Sequence, residues 1–322
     1  MTRGSIFQGV QVGPEVTPGT AVAASKKLLG LSIQPTNKAE VKMYRPMGSK
    51  FATVATLNKE WSEAGLSGPI TYTDIVYALC SGVVNVAPTG ATAKTWVFSP
   101  ALSAADTIKT LTVESGDATR AQKFAYGVVN AISLKFSRTG NELSGSMIGK
   151  AATDNITLTA TPTDIALVPV MPTQVSYKLA DTAAGLAGAT VLTNVIDAEW
   201  SLSGRFAPAW FMDGTTTFAS HVETEPELSV KFRMEADATA LGLLTTMRAA
   251  STKFLRIKAT GALISGSDYY DLQIDTALKM TEPTSYEDVD GVYAYGWSAS
   301  GVYDSTWAKT TEITVVNSLA AL

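Results

Sequence analysis

The stretch from Leu66 to Gly82, LSGPITYTDIVYALCSG, constrains the fold more than any other part of this chain. After Gly68-Pro69 a short strand over Ile70 to Tyr72 passes straight into a helical pattern. There Ile75, Val76, Leu79 and Cys80 fall on one stripe. Thr73 or Asp74 is placed to accept hydrogen bonds from the free N–H groups of the first turn, and Gly82 suits the stop. A helix this short with one apolar face has to lie against a sheet. The same design returns in ELSVKFRMEADATALGLLTTM, Glu227 to Met247. Leu228, Val230, Phe232 and Met234 alternate with polar residues, Asp237 caps, and Ala240, Leu241, Leu244 and Met247 form the stripe.

Around these two passages the pattern is β throughout. Short strand candidates stand at Leu28 to Ile33, Trp96 to Ser99 and Leu111 to Glu114. Tyr126 to Phe136 turns at Arg138 to Asn141 and returns over Leu143 to Ile148. Tyr269 to Met280 and Tyr293 to Val302 are long strands joined by a turn at Asp290-Gly291, and Thr311 to Val316 is the last strand. The expected fold class is mainly β with short helices, a β-rich α+β chain. The order of elements repeats better than the residues do: Gly48 with Gly214, Asp74 with Asp237 and Trp96 with Phe254 are separated by unequal spans. The expected division is an N-terminal arm (1–27), a first β-sandwich domain (28–152), a Thr- and Pro-rich linker (153–172) and a second domain with a C-terminal arm (173–322). The arm is read as flexible, because PGTAVAASKK has little to bury, while Ile6, Phe7 and Val10 are apolar points that could dock on a neighbour. Arg45 to Thr56 carries Met47, Phe51 and Val54 in a Pro- and Gly-containing loop; it reads either as a contact element or as a hairpin tip folded on its own domain. FAPAWFMDGTTTF holds the matching loop of the second half.

Composition narrows the function. Only 17% of the 322 residues are charged while 46% are hydrophobic, which points to a surface covered by partners. The net charge of −4 and the absence of a basic block argue against tight binding to nucleic acid. The opening MTRGSIFQGVQVGPEV lacks an apolar signal core, no run of apolar residues is long enough for a membrane helix, and the lone Cys80 fits folding in a reducing cytoplasm. Cys80 lies on the apolar helical stripe and reads as packing. His221, the one histidine, has no Ser elbow or oxyanion motif with it and reads as a surface residue. One His and one Cys do not make a zinc site, and there is no phosphate loop. Glu287 to Gly291 resembles a calcium fragment but lacks its alternation and distal Glu, so it reads as an acidic turn. No catalytic residue, cofactor or metal is expected.

Four passages resemble the tail tube proteins (major tail subunits) of long-tailed, siphovirus-type bacteriophages: GVQVGPEVTPGTAVAASKKLLGLSI, GLSGPITYTDIVYALCSGV, ISLKFSRTGNELSGSMIGKA and DGVYAYGWSASGVYDSTWAKTTEITVVNSL. Together they span most of the chain, and their order is similar to the family's. The resemblance implies a β-sandwich with a flanking helix, and six copies that close a ring whose inner strands make a continuous barrel, the rings stacking into a tube around a tape-measure protein. It also implies tail terminator and tip proteins as caps, passing double-stranded DNA as transient cargo, and residence in the virion after assembly in a bacterial cytoplasm. A single tube domain is nearer half this length, so three chains with two domains each would make a pseudo-sixfold ring. The positions implied to bridge subunits or rings are Ile6, Phe7, Val10, Met47, Gly48, Phe51, Phe211, Met212, Gly214, Val315 and Val316. Two rival readings stand beside this one: a tandem immunoglobulin-like adhesin or decoration module, and a carbohydrate-active β-sandwich enzyme with paired carboxylates.

Overall fold

The computed structural model describes residues 7–322. The chain is β-rich α+β, with two α-helices among the strands of the described residues. Its first half runs β1 (Gly9–Pro14), β2 (Lys26–Leu28), β3 (Ser32–Tyr44), β4 (Val54–Pro69), α1 (Ile75–Gly82), β5 (Lys94–Phe98), β6 (Leu111–Gly116), β7 (Ala121–Ser137), β8 (Gly140–Lys150), β9 (Thr153–Ile156) and β10 (Thr163–Asp164). Its second half runs β11 (Val175–Ala180), β12 (Val191–Leu192), β13 (Val195–Ser203), β14 (Phe206–Ala209), β15 (Ser220–Glu223), β16 (Glu227–Glu235), α2 (Ala238–Arg248), β17 (Thr252–Ser265), β18 (Asp268–Pro283), β19 (Glu287–Val289), β20 (Val292–Gly301) and β21 (Thr311–Asn317).

The pairings of the two halves match. β3–β4–β8–β7–β6–β1–β2 in the first half corresponds to β13–β16–β20–β18–β17–β11–β12 in the second, with every pair antiparallel. α1 packs on β7, and α2 packs on β18, the strand in the equivalent place. One supersecondary unit is therefore laid down twice, and its element order survives where residue identity does not.

Each unit presents a four-stranded layer with a dry and a wet face, because side chains alternate along a strand. The dry faces carry Ile33, Leu66, Leu134 and Leu143 in one unit and Trp200, Val230, Phe232 and Trp297 in the other, all buried in one core cluster. The core runs across both halves without a break. The helices and the second layer of strands cover it; the Trp297 indole N–H, for example, donates to the Ala240 carbonyl of α2 at 3.1 Å.

Several expectations need correction. Residues 9–28 are not a free arm. β1 pairs with both β2 and β6, Val12 is buried, and buried Glu15 accepts hydrogen bonds from the Thr110 and Thr112 hydroxyls and the Tyr126 N–H. Val10 is consequently core, buried together with Val12 in the cluster that runs through both halves. Residues 153–172, which run between the halves, are packed: β9 pairs with β7, β10 pairs with β2, and Ile165 and Val170 are buried. α1 shows no single apolar face, because every one of its residues is buried between β7 and the segment that follows it, where Lys109 donates its N–H to the Cys80 carbonyl. In α2 the buried positions are Ala240 and Leu243, with Leu241 exposed, but Asp237 caps as expected, accepting from the Ala240 N–H at 2.9 Å.

Asp74 does not cap α1. Its Oδ2 accepts the Gly30 N–H at 2.7 Å, which would otherwise be stranded at the start of β3, and its Oδ1 has no partner. Burial pushes this carboxyl up to about 6. A raised carboxyl binds its proton more readily in the folded than in the unfolded chain, so its contribution to stability is largest below the unfolded value of about 4 and is lost as pH rises through about 6. Asp74→Asn keeps the acceptor for Gly30 and removes the charge. Urea denaturation at pH 4 and pH 7 is expected to show the variant gaining about 2 kcal/mol on the wild type between the two; parallel stabilities would contradict this assignment.

Candidate interaction surfaces

The units meet through main chain. β13 lies antiparallel beside β7, with Ile132 opposite Leu202, Leu134 opposite Trp200 and Phe136 opposite Ala198 on the dry face. The wet face at this seam is charge-balanced: Glu199 stands opposite Lys135 on one side and Lys231 on the other, and it accepts the Ser133 hydroxyl at 2.7 Å. Arg233 pairs with Asp197 and Glu287. A single row of eight strands results, β3–β4–β8–β7–β13–β16–β20–β18.

Behind the seam, Arg205 fastens the second unit to the first. It is 3% exposed; its Nε and one terminal nitrogen donate to the Gly82 and Val83 carbonyls at the C-terminal end of α1, at 3.2 and 2.8 Å. It also pairs with Asp106 at 2.9 Å and with Glu223 at 2.7 Å. A cation here satisfies helix-end carbonyls and the negative end of the helix dipole together. Nothing in the sequence singles Arg205 out, because Gly82, Val83 and Asp106, its partners in the first unit, lie about a hundred residues away.

The row ends open. β3 pairs with β4 alone, and β17 covers the outer side of β18 only as far as Lys279, so the segment from Glu282 through β19 has β20 on one side and no strand on the other among the described residues. A groove of about 500 Å³ follows the outer side of β3, walled by Gln34 and Pro35 on one side and by Gln8, Ser115, Arg120 and Gln122 on the other. At the far end, Tyr286 stacks on Tyr293 with centroids 4.7 Å apart, and both rings are largely exposed.

β3 and β4 also extend as a two-stranded ribbon past Trp61, where pairing with β8 stops. From Lys38 outward this ribbon is roughly 20 Å long at about 3.3 Å per residue. Val41 and Met43, opposite Leu57 and Ala55, make one apolar face, and Glu40, Lys42, Thr56 and Asn58 make the other; both are exposed. Its tip turns at Pro46 to Ser49, where Gly48 holds φ +84 and a side chain would be strained. A lone two-stranded ribbon is marginal in water and calls for a partner.

The implied contact positions fall into distinct groups. Met47 (104% exposed), Gly48 and Phe51 (79%) sit together at the ribbon tip. Phe211, Met212 (106%) and Gly214 sit in the β14–β15 loop, not at that tip. This loop leans on the ribbon base, where the Trp61 and Trp210 rings meet edge to face and the Glu60 N–H donates to the Thr216 carbonyl. The two ends of FAPAWFMDGTTTF are packed, with Phe206 and Phe218 buried, while residues 211–215 are exposed. Phe7 is exposed ahead of β1, and Ile6 lies outside the described residues. Val315 is not a contact residue, because β21 lies between β18 and β5 and points it into the core; Val316 on the opposite face is half-buried.

His221 is half-buried rather than on the surface, its Nδ1 3.1 Å from the Tyr126 hydroxyl and its ring against Phe206. Burial holds its pKa below the ordinary value. Cys80 is buried, and its thiol is pushed up to about 12, chiefly by desolvation. Among the described residues, no group of three or more His, Cys, Asp or Glu is placed to hold a metal ion, and no helix is long and apolar enough to cross a membrane. In comparisons with known proteins, no family model and no curated protein matches this chain.

Arg205→Met is expected to lower stability by about 3–5 kcal/mol in urea denaturation, because Asp106 is left buried without its cation. A loss below about 1 kcal/mol would show that the fastening is incidental.

Proposed function

We propose that this chain is a structural subunit that assembles with copies of itself into rings stacked as a hollow tube, the conduit of a phage tail. One observation carries the reading: a β unit joins its twin edge to edge inside the chain, and the same two kinds of edge stand open at the ends of the row. Rotating such a head-to-tail contact closes a ring, and stacking rings gives a filament. An open sheet edge left unmatched is an aggregation hazard, and closure removes it.

Three supporting features agree with the resemblance of the sequence to tail tube subunits. At the seam the wet face is made of Ser133, Ser144, Ser201, Ser229 and Ser298 among charges of both signs, Lys135, Asp197, Glu199, Lys231 and Arg233. Turned toward a bore, such a wall gives DNA phosphates no basic surface to grip. The ribbon projects Met47 and Phe51, both exposed, away from the row, and on this reading its tip contacts the next ring. Two units per chain make six units in a ring of three. On this reading the copies enclose a tape-measure protein, are capped by terminator and tip proteins, and reside in the virion with no catalytic step of their own.

Electron microscopy of the purified chain tests this. Rings or tubes with a central bore are expected; isolated single particles would favour an adhesin-like module, and turnover of a glycan would favour an enzyme. Met47→Asp with Phe51→Asp is expected to leave the unfolding midpoint in place, as exposed substitutions do within about 0.5 kcal/mol, while rings no longer stack.

A further inference from the structure

The second layer of strands carries a walled trough on its outward face, built from β17, β18, β21 and the loop before β5. We propose that this trough is a non-catalytic binding site for a neutral oligosaccharide. The site does not depend on ring formation, and it can be read on the chain whether or not copies assemble.

Strand register builds the floor. β17, β18, β21 and β5 lie side by side, and one row of residues runs straight across them: Thr260 opposite Asp271, Asp271 opposite Val316, and Val316 opposite Thr95. The adjoining row is Ala259, Leu272, Val315 and Trp96, all buried in the core. Neighbouring residues on a strand point to opposite faces, so the first row looks away from the core. That core also holds Trp200 and Val230 from the dry face of the eight-stranded row. The trough therefore opens on the side of the molecule opposite the row's wet face. Residues 265–268, the β17–β18 turn, and residues 90–93 wall the floor, and the space between them is about 720 Å³. That is a volume usual for ligand sites. The second wall is fixed in advance: Thr89 and Thr95 exchange main-chain hydrogen bonds at 2.9 Å, and the Lys94 ammonium donates to the Gly90 carbonyl at 2.7 Å.

The lining selects the ligand by chemistry. On the floor, Asp271 pairs with Lys258 at 2.7 Å and accepts the Thr260 hydroxyl at 3.4 Å. Asp268 and the Tyr269 ring are exposed in the wall. Two carboxylates against one ammonium disfavour phosphate and acidic sugars. The apolar lining is Val316, two alanines and the tyrosine ring, too little to hold a lipid chain. β17, β18 and β21 each have a strand on both sides, so no peptide strand can add to the floor. A polyol uses what remains. Each sugar hydroxyl both donates and accepts; the carboxylates take its O–H, while the ammonium and the Thr hydroxyls give to its oxygen. The C–H face of a sugar ring is apolar and packs on an aromatic ring such as Tyr269.

An array of neutral and acidic oligosaccharides, probed with the labelled chain, tests this. Retention on one or more neutral oligosaccharides is expected, with no competition from inorganic phosphate, and the bound sugar is expected back at full length. Tyr269→Ala and Asp268→Ala, both at exposed positions, are each expected to weaken retention by at least about tenfold and to leave the unfolding midpoint in place. Tyr293→Ala, at an exposed tyrosine outside the trough, is expected to bind as the wild type does. Failure to retain any neutral oligosaccharide would overturn the proposal. So would undiminished retention by both trough variants, a preference for acidic sugars, or shortening of the bound sugar. None of these results bears on ring formation, which microscopy reads separately.

Discussion

Main-chain hydrogen bonding at strand edges governs this molecule. An edge strand shows a row of N–H and C=O groups that must find water or another strand. Inside the chain that demand is met at β7 by β13, and the match joins two copies of one unit into a single row. Every other feature of the interface depends on this junction. Without it Arg205 would have no second unit to fasten to α1, and the Glu199 ladder would have no second lysine strand.

The two faces of the row do different work. The dry face is committed to one core that spans both units, with α1 sealed inside it, so the halves cannot separate without exposing Trp200 and Leu134. The wet face is left to small hydroxyls and paired charges. This division lets the main-chain edges, rather than apolar surface patches, direct association. The ribbon of β3 and β4 is the exception, with Val41, Met43 and Leu57 exposed along one side and Met47 and Phe51 at its tip.

The parts of the fold legible in the sequence are those whose burial is one-sided. Leu228 to Met234 alternates cleanly because β16 has one wet and one dry face, and Asp237 caps α2 through one carboxylate oxygen while the other accepts from Asn194. Asp290 and Gly291 mark a hairpin because both adopt positive φ. Where tertiary structure overrides the local pattern, the reading failed. β1 looks like a flexible arm because its glycines and proline suit a loop, and only its pairing with β6 makes Val10 and Val12 core. Asp74 looks like a helix cap, but Gly30, far back in the chain, takes its carboxylate. Of the contact surface, the exposed tip residues Met47 and Phe51 were visible as apolar residues in a turn. The open edges were not, since an edge is defined by a neighbour that is missing, and no single stretch of residues records that.

Amide hydrogen exchange on assembled and unassembled protein tests the central claim most directly. Amides at the start of β3, over residues 32–37, and along residues 282–289 are expected to exchange fast in the monomer and to slow by at least tenfold in the assembly, while those of β7 and β13 are slow in both. If the two edge segments exchange equally fast before and after assembly, the copies do not complete one another's sheets, and the account is wrong.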